Sequence, residues 1–399
     1  MRAVELFTGA GGLAMGISQA GFSHDALIEW DQDACDTIRE NRQRGSAEVA
    51  HWPDVMQMDV RAFDLSQIPA GLELLAGGPP CQPFSLGGRH LGYNDKRDMF
   101  PEAVRCVRQL KPKAFMFENV KGLLRESFAQ YFEYVYLQLT YPCVTRKKDE
   151  QWADHLARLE RHHVKGEYSE LTYQVVFRLL NAADYGVPQK RERVIIVGFR
   201  RDLGKEWSFP LPTHSQEALL LDQWVTGDYW ERHRVSKRNR PALPVRLQGR
   251  IDRLKDGALP FAASSWLTVR DAIADLPDPQ SDKLAGDVLN HRYVAGARIY
   301  PGHTGSPLDE PAKTLKAGDH GVPGGENMLA YDADKVRYFT VREAARLQTF
   351  PDDYLFHGSW TETMRQLGNA VPVKLGKVIA RSVKQQLTSL KAKAHGAAR

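Results

Sequence analysis

Cysteine is scarce in this chain: Cys35, Cys81, Cys106 and Cys143 are the only four in 399 residues, and no two form a C-x-x-C pair. That spacing offers neither a zinc site nor a disulfide framework, and it suits a reducing compartment. Long apolar runs are missing as well, so no membrane span is expected. The opening Met1-Arg2-Ala3-Val4-Glu5-Leu6-Phe7 has neither the basic start nor the small-residue cleavage site of a secretory signal. A cytoplasmic location is expected. No internal repeat recurs at a fixed period. What is present is ordinary for a globular chain: a 42% hydrophobic fraction, enough for a substantial core and about two domains, and a mildly basic net charge of +5.

Strand and helix patterns alternate through the first half. Strands are expected at Val4–Phe7, Ala26–Trp30, Leu72–Ala76, Ala114–Glu118, Val175–Leu180 and Val194–Phe199. Helices are expected at Leu13–Ala20, Ala34–Arg42 and Glu102–Leu110 and around Leu137. Such alternation predicts an α/β domain with a mostly parallel sheet, whose ligands bind at the carboxyl ends of strands. Beyond Arg200 prolines, tryptophans, arginines and glycines become frequent and periodicity fades. Helical patterning returns from Phe339 and ends in an expected helix over Val373–Leu390. The expected division is a domain over 1–200, an irregular domain over 201–332 and a C-terminal segment, 333–399, returning to the first domain.

Chemistry concentrates where strands stop. The apolar run Leu72–Ala76 is broken by Gly77-Gly78-Pro79-Pro80, leaving Cys81 at the strand's end before Gln82-Pro83-Phe84-Ser85. A thiol kept there is a candidate nucleophile; a small buried hydrophobe is the plain alternative. After the first strand, Phe7-Thr8-Gly9-Ala10-Gly11-Gly12-Leu13-Ala14 satisfies G-x-G-x-x-G/A, with Glu29 ending the next strand. Glycines there let backbone approach a nucleotide-like ligand, and the acid accepts hydrogen bonds from ribose hydroxyls. Trp30 offers a face for adenine and Asp59 an acceptor for its amino group; a core tryptophan and a helix cap remain equally open. Glu118-Asn119-Val120 ends the strand from Ala114, where a glutamate can act as an acid. Gln189-Lys190-Arg191-Glu192-Arg193 opens another, with arginines able to orient a carboxylate or hold a phosphate. Nine basic residues lie between Arg232 and Lys255, Arg238 and Arg240 among them, opposed in sequence only by Asp252. Such a stretch suits a polyanion backbone or a solvated surface.

Each motif is a weak signal alone, but their joint order is specific. Phe7–Gly12, Glu29-Trp30-Asp31, Asp59, Gly78–Ser85, Glu118–Val120, Gln189-x-Arg191-x-Arg193, the Arg342–Pro351 block and Gly368–Pro372 follow one another as in the bacterial DNA (cytosine-5-)-methyltransferases, which this chain resembles. Both ends match and the middle does not. The first motif departs by carrying Glu5 where aspartate is usual, and Lys96–Phe100 matches its motif loosely.

The resemblance implies a Rossmann-like fold dependent on S-adenosyl-L-methionine, released as S-adenosyl-L-homocysteine, with no metal. It implies that Cys81 adds to carbon 6 of a flipped cytosine and that Glu118 binds the exocyclic amino group and ring nitrogen 3. Arg193 would hold the base oxygen and orient Glu118, and Arg191 would serve a phosphate or the surroundings of Cys81. The cofactor would lie over Phe7 and Thr8, Gly9, Gly11, Gly12 and Leu13, meet Glu29, Trp30 and Asp59, and be enclosed by Pro79, Asn369 and Val371. Ser85–Phe100, with Arg89 and Arg97, is expected to close on double-stranded DNA as a lid. Gln82 and Ser85 would contact the vacated site and phosphate; the insert's basic stretch, with Arg238 and Arg240, would grip phosphates, and its loops around Thr314, Lys316 and Gly318–Asn327 would read the bases. A partner restriction endonuclease acting on the same site is the usual setting, and a monomer is expected. The rivals are a transfer-RNA methyltransferase of the same fold, a catalytically silent DNA-binding relative, and a nicotinamide dehydrogenase suggested by the glycine loop alone.

Overall fold

The computed structural model describes residues 1–80, 98–166, 171–204, 206–258, 262, 264–281, 283–301, 303–317, 327–331 and 335–396. They fall into two compact units. Met1–Leu180, Glu192–Pro210 and Gly376–Arg399 form the first; Asn181–Arg191 and Leu211–Leu375 form the second.

The first unit is built on a sheet of seven strands: β1 (Arg2–Leu6), β2 (Ser23–Glu29), β3 (Val55–Gln57), β4 (Leu74–Gly77), β5 (Ala114–Val120), β6 (Tyr173–Asn181) and β7 (Glu192–Arg200). Their order is β3-β2-β1-β4-β5-β7-β6. Pairing is parallel from β3 across to β5, and β7 runs antiparallel to β5. The inner strands read as continuous apolar runs because both faces are buried. Val4, Leu6, Ile28, Leu75, Phe115, Phe117 and Ile196 all sit in one core. The connections carry α1 (Gly12–Gln19), α2 (Gln32–Gln43), α3 (Phe100–Leu110), α4 (Ala129–Thr140) and α5 (Trp152–Lys165). From β1 the chain winds outward one way to β2 and β3, and from β4 the other way to β5. The switch point therefore lies between β1 and β4, where open α/β sheets hold ligands. Gly77 makes that junction tight: a Cβ there would collide with the Leu6 carbonyl oxygen.

The second unit is made of short pieces: β8 (His214–Ser215), α6 (Gln216–Leu221), α7 (Asp228–Arg232), α8 (Gln248–Lys255), β9 (Ser264–Ser265), α9 (Val269–Ile273), β10 (Ser306–Pro307), β11 (Met328–Ala330), β12 (Val336–Tyr338), α10 (Val341–Leu347) and α11 (Trp360–Asn369). The tryptophans that mark this stretch in sequence form a core of its own, with Trp230 and Trp266 buried beside Tyr229 and Leu219. Helices this short need defined starts. Thr268 with Asp271, and Thr340 with Glu343, close capping boxes on α9 and α10.

The last helix, α12 (Val373–Gly396), belongs to the first unit from Gly376 onward. It lies against α1, where a Cβ on Gly376 would stand 3.2 Å from Leu13. Lys384 Nζ donates to the Gly21 carbonyl at 2.8 Å, and the Trp207 indole to Ser382 Oγ at 3.0 Å.

Candidate active site

The glycine loop leaves β1 on left-handed backbone: Phe7 has φ 57°, Gly9 55° and Gly11 84°. Two of these are glycines, which reach that region without strain, while Phe7 is held there by context. Thr8 fastens the loop to β2, its amide donating to the Ile28 carbonyl at 3.1 Å. Glu29 fastens it from the other side. Its carboxylate accepts from the amides of Gly9 (2.7 Å), Trp30 (2.9 Å) and Asp31 (2.8 Å). Burial pushes this carboxyl upward, and the three amides pull it back. Trp30 stands 73% exposed, its indole face open. Asp59 caps a single helical turn and is gripped by Arg61, Nε to Oδ1 at 3.0 Å, which holds its carboxyl below the usual range. Gly12 and Leu13 are buried at the start of α1.

At the neighbouring strand ends two charges meet. Glu118 Oε1 and Arg193 Nε lie 2.7 Å apart, each side chain about 10% exposed. The sheet explains the meeting. Because β7 is antiparallel to β5, its first residues sit at the carboxyl end of β5, with Val120 opposite Arg193 and Glu118 opposite Ile195. Gly78 passes close beneath, where a Cβ would stand 3.3 Å from Glu118 Oε2. Asn119 is buried and donates from Nδ2 to the Pro79 carbonyl at 3.1 Å, tying the chain after β4 to the end of β5. Cys81, Gln82, Ser85, Arg89 and Arg97 lie outside the described residues, as do residues 318–326 of the expected recognition loop.

Several expected residues of the second unit are placed differently from their reading in sequence. Arg191, taken for a phosphate or the surroundings of Cys81, is wholly buried and donates to the carbonyls of Leu315 (3.1 Å) and Gly368 (2.7 Å). It staples these two carbonyls from the interior. Gln189 works beside it, accepting from the Leu315 amide at 3.1 Å and donating to the Leu347 carbonyl at 3.3 Å. Thr314, expected to read a base, donates its hydroxyl proton to the Lys190 carbonyl at 2.7 Å. Lys316 is exposed. Asn369 is exposed at the end of α11 and Val371 is buried just after it. The basic stretch is less free than its sequence implies. Arg232 meets Asp271 and Asp222, Arg246 meets Glu310, and Arg250 meets Glu217. Arg240 is half-buried and donates to the Val235 carbonyl, whereas Arg238 is exposed with no ion pair among the described residues.

A family model for the C-5 cytosine-specific DNA methylases matches residues 1–141 and 153–385. The chain belongs to this family. The methylase is 31% identical over 384 residues to the Type II methyltransferase M.NgoMIV of Neisseria gonorrhoeae, covering 95% of this chain and 96% of that one. It is equally 31% identical to M.Eco47II of Escherichia coli, over 95% and 78% of the respective chains. Among solved structures, an E. coli prophage DNA modification methyltransferase superposes with a TM-score of 0.57 at 22% identity, over 97% of the methylase and 99% of that chain. The S. pombe Dnmt2 methyltransferase does so at 0.54 and 16% identity, over 98% and 99%, a likeness of fold alone. The methylase is thus an enzyme that methylates carbon 5 of cytosine in DNA, and membership of this family sets aside the dehydrogenase reading.

Asn119, Gln189 and Gly368 carry site geometry that their motifs did not announce. Gly368 has no room for a side chain, since a Cβ would collide with the Ala317 amide. The available signal was their place inside polar motifs at strand and helix ends, where backbone groups need partners.

Proposed function

We propose that this methylase modifies one short double-stranded DNA sequence by covalent catalysis from Cys81, with S-adenosyl-L-methionine bound over the Thr8–Leu13 loop. Three observations support the cofactor's fit: the left-handed loop at Gly9 and Gly11, the Glu29 carboxylate beside it, and the open face of Trp30. Phe7, Thr8, Gly9, Gly11, Gly12, Leu13, Glu29, Trp30, Asp59, Pro79, Asn369 and Val371 are the proposed contacts. When bound, S-adenosyl-L-methionine supplies an electrophilic methyl group. No metal has a part in this scheme.

The pair of Glu118 and Arg193 carries the reading. A carboxylate fixed at 2.7 Å from a guanidinium, near the end of β5 and the start of the neighbouring β7, can meet the amino and N3 edge of a cytosine. Arg193 holds that carboxylate in place and faces the base oxygen. The target atom is hidden in a duplex, so the base is flipped into the pocket. The Cys81 thiolate then forms a bond to carbon 6, which makes carbon 5 nucleophilic, and a proton at N3, whose placement Glu118 favours, neutralises the charge developing there. Carbon 5 takes the methyl group and loses its proton to a base. The Cys81 sulfur leaves carbon 6 with its electron pair, restoring the ring as 5-methylcytosine.

Gln82, Ser85, Arg89, Arg97, Arg238, Arg240, Thr314 and Lys316 are the proposed DNA contacts, with the Thr314 hydroxyl bonded to the Lys190 carbonyl. A cytoplasmic monomer suits this role, paired in the cell with an endonuclease that the methylation blocks. The deciding experiment supplies S-adenosyl-L-methionine with unmethylated plasmid and with transfer RNA, then sequences the plasmid for 5-methylcytosine. Modification confined to one recurring motif is expected. Scattered modification would overturn the site-specific reading, and methylated transfer RNA with bare plasmid would overturn the polymer.

A further inference from the structure

Beneath the glycine loop lies a polar cluster that the methyl-transfer scheme does not use. Glu5 on β1 is 1% exposed. Among the described residues its buried Oε2 has no hydrogen-bond partner, nor has His24 Nε2 on β2, and the two atoms lie 3.8 Å apart. A register shift between Ala3 and Val4, which leaves Asp25 unmatched, brings His24 to this position. Bulges of this kind re-aim side chains near functional sites. On its other side His24 Nδ1 meets Ser18 Oγ of α1 at 3.3 Å, and Ser18 Oγ accepts from the Trp52 indole at 2.8 Å. The imidazole and the indole pack with centroids 5.6 Å apart.

Glu5 also reaches the loop. Helix α1 has Gly11 as its N-cap, which has no side chain to cap it, and its first turn holds no acid. The Ala14 amide is one of the donors such a helix start leaves over. It draws the Glu5 carboxyl down against the upward push of burial, which places the carboxyl under the start of α1.

We propose that Glu5 and His24 are a positioning pair that holds one proton between them and fixes the Thr8–Leu13 loop for its adenosyl ligand. This rests on the reading of that loop as the cofactor loop. A buried carboxyl is neutral unless paired, and its proton then needs an acceptor. The neutral His24 Nε2, 3.8 Å from Glu5 Oε2, is that acceptor. Burial acts on both partners in this sense, holding Glu5 well above the usual carboxylate range and His24 down to about 3. Other charges face the pair from Glu29 at the end of β2, which raises Glu5 further, and from His51, which lowers His24. Helix α1 and strand β4 bring no charged residue, and α12 brings Lys384, bonded to the Gly21 carbonyl. For a carboxyl held upward, the proton is kept at low pH and lost as pH rises, leaving an uncompensated charge under the loop.

The test is calorimetric binding of S-adenosylhomocysteine to the full chain from about pH 6 to about pH 9, across the range where a raised carboxyl can lose its proton. Wild type is expected to weaken roughly tenfold toward the alkaline end. Glu5→Gln keeps an acceptor for Ala14 and a donor for His24 with no proton to lose, so it should bind as tightly at neutral pH with a flatter profile. Glu5→Ala removes both and should bind roughly fivefold more weakly at every pH. Circular dichroism confirms that each variant is folded. The ligand's own titration is common to all variants, so the difference between them reads the pair. A Gln variant that tracks the wild-type profile, or a flat wild-type profile, overturns the pair alone. A wild type that binds no S-adenosylhomocysteine overturns the cofactor reading, and the pair with it.

Discussion

Two charged regions of this molecule are organised in opposite ways. At the ends of β5 and β7 the register of an antiparallel pair fixes which groups meet, and Glu118 finds Arg193 on the adjoining strand. In the Arg232–Lys255 stretch no ladder imposes partners. Three of its arginines are met by acids outside the stretch: Glu217, Asp222, Asp271 and Glu310. Others, such as Arg238, stay in water. A charge count along the chain therefore overstates the free charge of the stretch. The lesson is that a cluster on a sheet can be inferred from strand ends, whereas one on irregular chain depends on the whole of its unit.

The sharpest way to break this contrast is at the strand ends. Cys81→Ser should lower methyl transfer by about a thousandfold or more while leaving S-adenosylhomocysteine binding intact; substantial residual turnover would remove Cys81 as the nucleophile. Glu118→Gln keeps the shape but not the charge, and should cost roughly a hundredfold to ten-thousandfold in turnover. Single-turnover rates on one DNA duplex would read it, and a near-normal rate would detach Glu118 from the chemistry. Next come the two arginines of one motif. Arg193→Ala should act mainly on turnover. Arg191→Ala leaves two buried carbonyls unpaired and should destabilise the fold by about 3 kcal/mol, seen as a drop in melting temperature. Equal melting temperatures for the two variants would erase the distinction. The smallest effect belongs to the basic stretch. Arg238→Ala should reduce the slope of log affinity for DNA against log salt by about 0.9, and Arg250→Ala, whose charge is matched by Glu217, should change it less. The reverse ranking would mean that DNA binding breaks the Arg250 pair.

Much of the first unit is legible in sequence because its strands are buried on both faces. Leu72–Ala76 and Ala114–Glu118 read directly as apolar runs, and the structure places β4 and β5 there, shifted by a residue or two. Strand β3, three residues long, is too short to show a period. Helix α5 shows no clear apolar period in sequence because a histidine stands on its buried face: His155 is buried with Leu156 and Leu159 and shares its Nδ1 with the Tyr134 hydroxyl at 2.8 Å. The site was legible as residue types and only partly as roles. Glu118 and Arg193 are near one another through a single strand pairing, which a pattern of strand ends can anticipate. Arg191 is a different case. Its partners are main-chain carbonyls at Leu315 and Gly368, and a carbonyl has no identity in a sequence. The place of Glu5 under α1 is hidden likewise, since what it meets there is the Ala14 amide on another element.

The reversed direction of β7 bears on how this enzyme can tolerate change in length. A strand running the other way presents its beginning where β5 presents its end, so the pair at the pocket depends only on two strands lying side by side. The chain between them passes through α4, α5 and β6, and the family model leaves residues 142–152 of that passage unmatched. Residues can therefore be gained or lost there without moving Glu118 relative to Arg193. That makes the passage the natural place for relatives to diverge, and the natural place to graft a tag or a fused domain onto a working methylase.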